Sequence, residues 1–499
     1  MPARCVREAR SMYLPRFARS LSLLAFVLGA GCSATEDARS DTATDAQTKD
    51  SSAPWEEHPG ETPTPTQKAQ AAELGEVLSF VRASTGWHGR LDWATLEEKG
   101  REEIFAGSGG RRDYFSALFH AFVQIPQGHQ GLFLTEGCGT TVPYAGHSLR
   151  GVCGQPHRDG IVVTRARLGN ALGLARGDVI VRVGQASGRD VVDELASRPA
   201  CLTSRPSAAS RSASAATTFA DLIEAGDVVT VQSPDGSRRT MTVTEEMAKA
   251  TTFGEIASCT DPFGRSVEIA AESYFRPDGI GVIRVPSFKD PEVAFPQGGT
   301  SADFERYRES FEAKIQAAFD VVKDARALIW DVRGNGGGLT VVGLAIASGF
   351  PGARPEPIAY CERRVEGSDP PVFEGDRRAT YALSPGGRFA FAGKVAVLVD
   401  GTNYSAADYF ALAVKSRTDA ILVGAPTAGA FGGTSGSRHF GGPPGVNVSV
   451  DVHRCSLAED DSHLEGRSVE PHIYVDYDPK SVAQLRDSVL ERAVSELDR

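Results

Sequence analysis

Two segments constrain this chain more than any others. Ala327-Leu328-Ile329-Trp330-Asp331-Val332 is an apolar run of strand length that breaks into Arg333-Gly334-Asn335-Gly336-Gly337-Gly338. Val395-Ala396-Val397-Leu398-Val399 breaks the same way into Asp400-Gly401-Thr402-Asn403-Tyr404-Ser405, and a helical pattern resumes at Ala406. A buried strand, a small-residue turn and a helix, twice over, is how an α/β sheet presents groups at the carboxyl ends of its strands. The glycines let bare backbone N–H groups approach a ligand, and Ser405 opens a helix whose peptide dipoles favour nearby negative charge. Ser405 is therefore the candidate nucleophile. Ala406, with Gly336 or Gly337, supplies the candidate amides for a developing oxyanion.

Competing readings of these residues are weaker. Gly334-Asn335-Gly336-Gly337-Gly338-Leu339 lacks the last glycine of the G-x-G-x-x-G dinucleotide fingerprint, and no strand-plus-acid arrangement follows at the usual distance. The G-x-S-x-G elbow of α/β-hydrolases is absent around Ser405. A mere turn or helix cap would explain either segment alone, but not both in this order.

At 499 residues the chain exceeds one core and divides into domains. Its net charge of −11, with no basic run interleaved with aromatics, argues against a nucleic-acid partner. Arg7, Arg10, Arg16 and Arg19 precede a short apolar run over 21–28, the pattern of a removable export signal. That run ends in Leu28-Gly29-Ala30-Gly31-Cys32, which resembles a bacterial lipobox; the resemblance implies lipidation of Cys32 and, with Ser33 following, anchoring in the outer membrane. Residues 1–32 are thus expected to be a lipoprotein signal peptide. Residues 33–67, rich in Ser, Thr, Asp, Glu and Pro, cannot bury enough surface to order themselves and are expected to be a disordered tether. Besides Cys5 and Cys32, six cysteines remain, an even number that argues for disulfides in an exported chain; Cys138 with Cys153 is the most local of fifteen possible pairings. No C-x-x-C occurs, and His453, Cys455 and His463 lack the paired spacing of structural zinc, so neither metal nor cofactor is expected.

Residues 68–136 show apolar positions at helical spacing and are expected to form an N-terminal helical region. In 140–246, Gly160-Ile161-Val162-Val163 and Gly173-Leu174-Ala175-Arg176-Gly177-Asp178-Val179-Ile180 resemble the strand and the G-L-x-x-G-D-x-I element of PDZ domains in bacterial proteases. The resemblance implies a β-rich unit that takes extended peptide by strand addition. The Ser/Ala/Arg/Thr-rich stretch 204–217 within it reads as a mobile loop. Residues 251–499 alternate strands and helices, which predicts an α/β core with a largely parallel sheet.

Asp331-Val332-Arg333-Gly334-Asn335-Gly336-Gly337-Gly338 and Ser405-Ala406-Ala407-Asp408 resemble the D-x-R-G-N-x-G-G loop and S-A-x-[DE] turn of the tail-specific, or C-terminal processing, serine peptidases. Leu91-Asp92-Trp93-Ala94-Thr95-Leu96 and Gln127-Gly128-His129-Gln130-Gly131-Leu132 are similar to that family's V-D-W-x-x-L and D-G-H-T-x-L phrases. The family's lysine base would stand at Ala430, in Gly424-Ala425-Pro426-Thr427-Ala428-Gly429-Ala430-Phe431, so a Ser–Lys dyad is missing. Lys415 is about three helical turns, roughly 15 Å, beyond Ser405. A branch that includes the tricorn core protease uses histidine and glutamate instead. By that resemblance His129 is the general base and Glu465, in Leu464-Glu465-Gly466-Arg467-Ser468-Val469-Glu470-Pro471, orients it, with His120 and His463 in reserve for the base. Gly128 stands where the tricorn core has a relaying serine. Arg333 and Asp331 are expected to hold the loop's shape.

The chain is thus expected to be an exported, lipid-anchored serine endopeptidase acting on polypeptides. The alternative is a non-catalytic binder of peptides or apolar ligands on a degenerate core, as in a retinoid-carrying relative of the family.

Overall fold

The computed structural model describes residues 62–86, 91–135, 138, 142–203, 205–249, 255–296, 298–377, 380–441 and 445–499. The expected signal, the Cys32 lipidation site and most of the expected tether lie outside these residues.

Helices α1 (Pro65–Ser84), α2 (Trp93–Ala106) and α3 (Arg111–Phe122) come first. Thr64 and Gln67 cap α1 reciprocally, and Asp92 caps α2. Leu74, Val77, Leu78 and Val81 of α1 pack with Tyr114, Phe115, Leu118 and Phe119 of α3. The chain then passes through His129 into β1 (Gly131–Leu134). This strand belongs to a sheet completed from distant sequence, as described below.

The region with PDZ-like motifs contains β2 (Val152–His157), β3 (Gly160–Ala166), β4 (Val179–Val183), β5 (Ala186–Ser187), α4 (Asp190–Ser197), β6 (Leu202–Thr203), α5 (Ala208–Leu222), β7 (Val228–Gln232), β8 (Arg238–Thr242) and α6 (Glu245–Lys249). Its sheet runs β2-β3-β4-β7-β8, with β5 paired to β4. The expectation of a mobile loop over 204–217 is corrected here. Ser207 accepts the Ser210 amide at the start of α5, and Ala215, Ala216, Phe219 and Leu222 are buried in the unit's core. Alanine has the highest helix propensity, and small side chains let the helix approach β2 closely: a Cβ on Gly154 would lie 3.0 Å from the Ala216 carbonyl oxygen.

The remainder contains β9 (Glu272–Phe275), β10 (Ile280–Arg284), α7 (Ser301–Val322), β11 (Ala327–Asp331), α8 (Thr340–Ser348), β12 (Ala359–Arg364), β13 (Phe373–Glu374), β14 (Lys394–Val399), α9 (Ala406–Arg417), β15 (Ile421–Gly424), β16 (Thr434–Phe440), β17 (Val446–Asp451), β18 (His453–Leu457), β19 (Ile473–Tyr474), α10 (Pro479–Ala483) and α11 (Ser488–Leu497). The central sheet has the order β19-β15-β14-β11-β10-β9, parallel except for β9, as the alternating pattern predicted. Helices cover both faces. Trp330 is buried on one side among Phe319, Phe350 and Phe389, while Ile329, Ala396 and Leu398 meet Val489 and Ala493 of α11 on the other. Each such large apolar side chain contributes on the order of 2–3 kcal/mol by burial.

A second sheet, β16-β17-β1-β6, ties the N-terminal region to the core, because β1 pairs antiparallel with β17. Gly131 lies opposite Ser449, and continuing that register by two residues brings His129 opposite Asp451.

All six cysteines are paired, as Cys138–Cys201, Cys153–Cys259 and Cys361–Cys455, so the most local option, Cys138 with Cys153, is overturned. Cys153 lies in β2, whose partner segment is brought in from 106 residues away. On the chain-entropy view each bridge stabilises by about 4–5 kcal/mol. Peptide mapping of the denatured, unreduced protein should recover these three pairs; free thiols at these positions would refute the pairing.

Candidate active site

Strands β11 and β14 are parallel neighbours, with Asp331 beside Leu398, so the loops leaving them emerge side by side. Hydrogen bonds then fix each loop against the other. Asn403 Nδ2 donates to the Val332 carbonyl, the Tyr404 amide donates to the Asn335 carbonyl at 3.2 Å, and the Gly334 amide reaches Asp400 Oδ1 at 3.4 Å. Beneath them Arg333 donates to Asp331 and Asp487, and Arg265 also donates to Asp331, all at 2.6–3.0 Å. The two guanidinium groups outweigh burial and hold the Asp331 carboxyl well below the usual range. Arg333 and Asp331 thus shape the loop, as expected.

Ser405 sits immediately before α9 with φ 60° and ψ −120°. A non-glycine residue at positive φ is costly and persists where the surroundings impose it, which is common at functional sites. The Ser405 amide donates to the Ala430 carbonyl at 3.1 Å. Gly337, at φ 95°, passes so close that a Cβ there would lie 2.7 Å from the Ser405 Cβ and 2.6 Å from the Tyr404 carbonyl oxygen. Only glycine fits. The Gly337 amide itself donates to Asn335 Oδ1 at 2.8 Å, so of the two loop candidates Gly336 is the one whose amide, with that of Ala406, is not engaged by a described residue.

His129 reaches this place from the loop between α3 and β1, also at positive φ, 57°. Its backbone amide donates to the Tyr404 hydroxyl, and its imidazole lies 4.7 Å from the Tyr404 ring, centroid to centroid. The structure therefore brings His129 against the residue preceding Ser405. Burial lowers its pKa to about 4, only partly countered by Asp451, so the ring is neutral at pH 7.

Glu465 closes the back of the site. One of its oxygens accepts the Gly128 amide, and the other accepts those of Phe431 and Gly432 at 2.9 Å each. Burial, then the nearby Asp451, push its carboxyl well above the usual carboxylate range. A Cβ on Gly128 would lie 2.1 Å from Glu465 Oε1 and 2.7 Å from the Ala430 Cβ. The space that a relaying serine would need is filled by Glu465, and the His129 loop presses on Ala430 where a lysine would have to start.

The other candidates lie elsewhere. Lys415 Nζ donates to the Glu470 carbonyl at 2.6 Å, and His120 is held between Glu103 and the Ser197 carbonyl. His463 lies in the segment that bridges to Ser456.

Three further participants were assigned no role from sequence, although Asp408 and Tyr404 lie in the motif segments around Ser405. Asp408 accepts the Gly429 and Ala430 amides at 2.8 and 3.0 Å, and burial pushes its carboxyl up to about 6; it clamps the loop whose carbonyl receives the Ser405 amide. Tyr404 carries His129. Asp451, fully buried, has Oδ2 at 4.0 Å from His129 Nδ1. Together His129, Asp451 and Glu465 bring three metal-capable atoms within 4.8 Å of one another, but both Glu465 oxygens already accept backbone amides.

Residues 279–475 match the model of peptidase family S41. No curated protein matches the chain. Among solved structures, it is similar to mature CPAF at 14% identity, over 87% of this chain and 96% of that one, with a TM-score of 0.56. Mature CPAF complexed with lactacystin matches at 14% identity over 87% and 98%, with a TM-score of 0.54. These likenesses show a shared fold extending beyond the matched residues to the sheet and helices before them.

Proposed function

We propose that this chain is an exported serine endopeptidase that cleaves polypeptides through an acyl-enzyme on Ser405. The observation that carries the reading is His129 seated on Tyr404, the residue just before Ser405, with His129 and Ser405 both at positive φ. The neutral imidazole takes the hydroxyl proton as Ser405 Oγ bonds to the scissile carbonyl carbon, and later gives that proton to the departing amine. Water then attacks the ester, losing its proton to the same ring, and frees the serine. The Ala406 and Gly336 amides receive the oxyanion, each contributing about 3 kcal/mol or more to the transition state. By family resemblance, Glu465 is the carboxylate behind the base.

Three buried or half-buried disulfides fit an oxidising compartment and so support export; the lipid anchor at Cys32 to the cell envelope rests on the lipobox resemblance. Among the described residues no helix is long and apolar enough to cross a membrane. In the PDZ-like unit α5 packs on the face of β2 that carries Gly154, and β2 is the end strand of its sheet.

The test is a fluorophosphonate probe with peptide mapping, alongside casein hydrolysis. We expect one adduct, on Ser405, and loss of casein cleavage in step with labelling. An unlabelled, well-folded chain would instead favour the binder reading.

A further inference from the structure

The base needs a carboxylate that faces Nδ1, fixes the tautomer and offsets the charge of the imidazolium. The two acids behind His129 are bonded quite differently. Both oxygens of Glu465 are taken by amides of Gly128, Phe431 and Gly432, which makes it a pin joining the His129 loop to the 430–432 segment. Asp451 sits at the end of β17 with Oδ1 accepting the Gly433 and His453 amides at 3.0 and 2.9 Å, and lying 3.2 Å from His453 Nδ1. These contacts turn Oδ2 towards His129 Nδ1, 4.0 Å away. The β1–β17 register sets that opposition.

Building on the peptidase reading above, we propose that Asp451, not Glu465, is the residue that positions His129, with Glu465 acting behind it to hold the two loops together. Two adjacent buried carboxyls disfavour each other's ionisation. Glu465 is the one pushed upward, by burial and then by Asp451. Asp451 Oδ2 is the carboxyl oxygen that faces the ring. The other charged groups acting on His129 are His453 and Lys289, both of which oppose its protonation. A 4.0 Å separation in a free enzyme is compatible with this role, since catalytic hydrogen bonds often tighten only when substrate binds.

Sequence gave Asp451 no distinguishing context. It becomes visible only when the strand pairing is known. Its position also accounts for Gly128, because with Asp451 facing the ring no serine is required to relay from Glu465.

The experiment compares Asp451→Asn and Glu465→Gln in the full chain, reading kcat and KM on a fluorogenic peptide and the low-field imidazole Nδ1 proton by NMR in the phosphonate adduct. Asn at 451 keeps an oxygen for the two amides but turns an N–H donor towards His129, favouring the wrong tautomer. We expect kcat to fall by about 10³–10⁴ with KM changed only a few-fold, and the low-field proton to disappear. Glu465→Gln, which keeps an acceptor for Phe431 and Gly432 but loses that for Gly128, should lose no more than about 30-fold and retain the proton. The reverse ranking would overturn the proposal and return the orienting role to Glu465. If Asp451→Asn does not fold, Glu465→Gln decides alone: survival of the low-field proton supports Asp451, and its loss refutes it. Failure of the wild-type chain to form the adduct at all would refute the peptidase reading instead.

Discussion

Ser405→Ala should abolish casein hydrolysis and phosphonate labelling, lowering turnover by on the order of 10⁶-fold while leaving the fold intact. The size follows from the chemistry, since without the hydroxyl no acyl-enzyme forms and only water held near the oxyanion amides remains to attack. The fold should survive because Ser405 makes no side-chain cap to α9, and its backbone bonds to Ala430, Asp408 and Tyr409 need no hydroxyl. Alanine must still adopt φ 60°, a strain that serine bears as well, so the melting temperature should move by only a few degrees. The measurement is casein cleavage with a thermal melt on the same sample. Activity within tenfold of wild type in a folded variant would eliminate Ser405 as nucleophile.

Much of this site could be read from the chain because its signals are local. The β11 and β14 loops each combine an apolar run, small residues and a helix start within about twenty residues, and His129 sits in a phrase of six. What escaped was created by pairing across the sequence. Asp451 meets His129 through antiparallel register between strands over three hundred residues apart, and nothing in its own neighbourhood marks it. The disulfides failed for the same reason: Cys138 and Cys153 are close in sequence, but Cys153 enters β2 and faces Cys259. The α5 error has another origin. Ser/Ala-rich composition reads as low complexity, whereas a capped alanine-rich helix needs only a surface close enough to bury small side chains, and β2 provides one. Gly337 was legible as a flexible loop residue, but its commitment to Asn335, which leaves Gly336 as the loop donor, depends on a side chain two residues away.

His129→Ala should cost nearly as much as Ser405→Ala, again on the order of 10⁶-fold in turnover, because nucleophile and base act as one unit and removing either removes the same step. Lys415→Ala should stay within a few-fold of wild type, since its ammonium is bonded to the Glu470 carbonyl and contributes nothing to Ser405. The opposite ranking would restore a lysine mechanism. The pH dependence offers an independent check. With its pKa lowered from 6.5 to about 4, His129 remains neutral, and able to act as base, well below the range where an ordinary histidine is protonated. The acid limb of kcat/KM due to this ring should therefore lie near pH 4. The same shift destabilises the fold on acidification: below pH 6.5 the unfolded chain binds a proton that the native site refuses, so stability is lost as pH falls from 6.5 towards 4 and levels off beyond. An acid limb near pH 6 that vanishes in Asp408→Asn would belong to the Asp408 carboxyl, which burial pushes up to about 6. One near 6.5 that resists that substitution would show that His129 titrates as a solvated ring, contrary to its place between Tyr404 and Asp451.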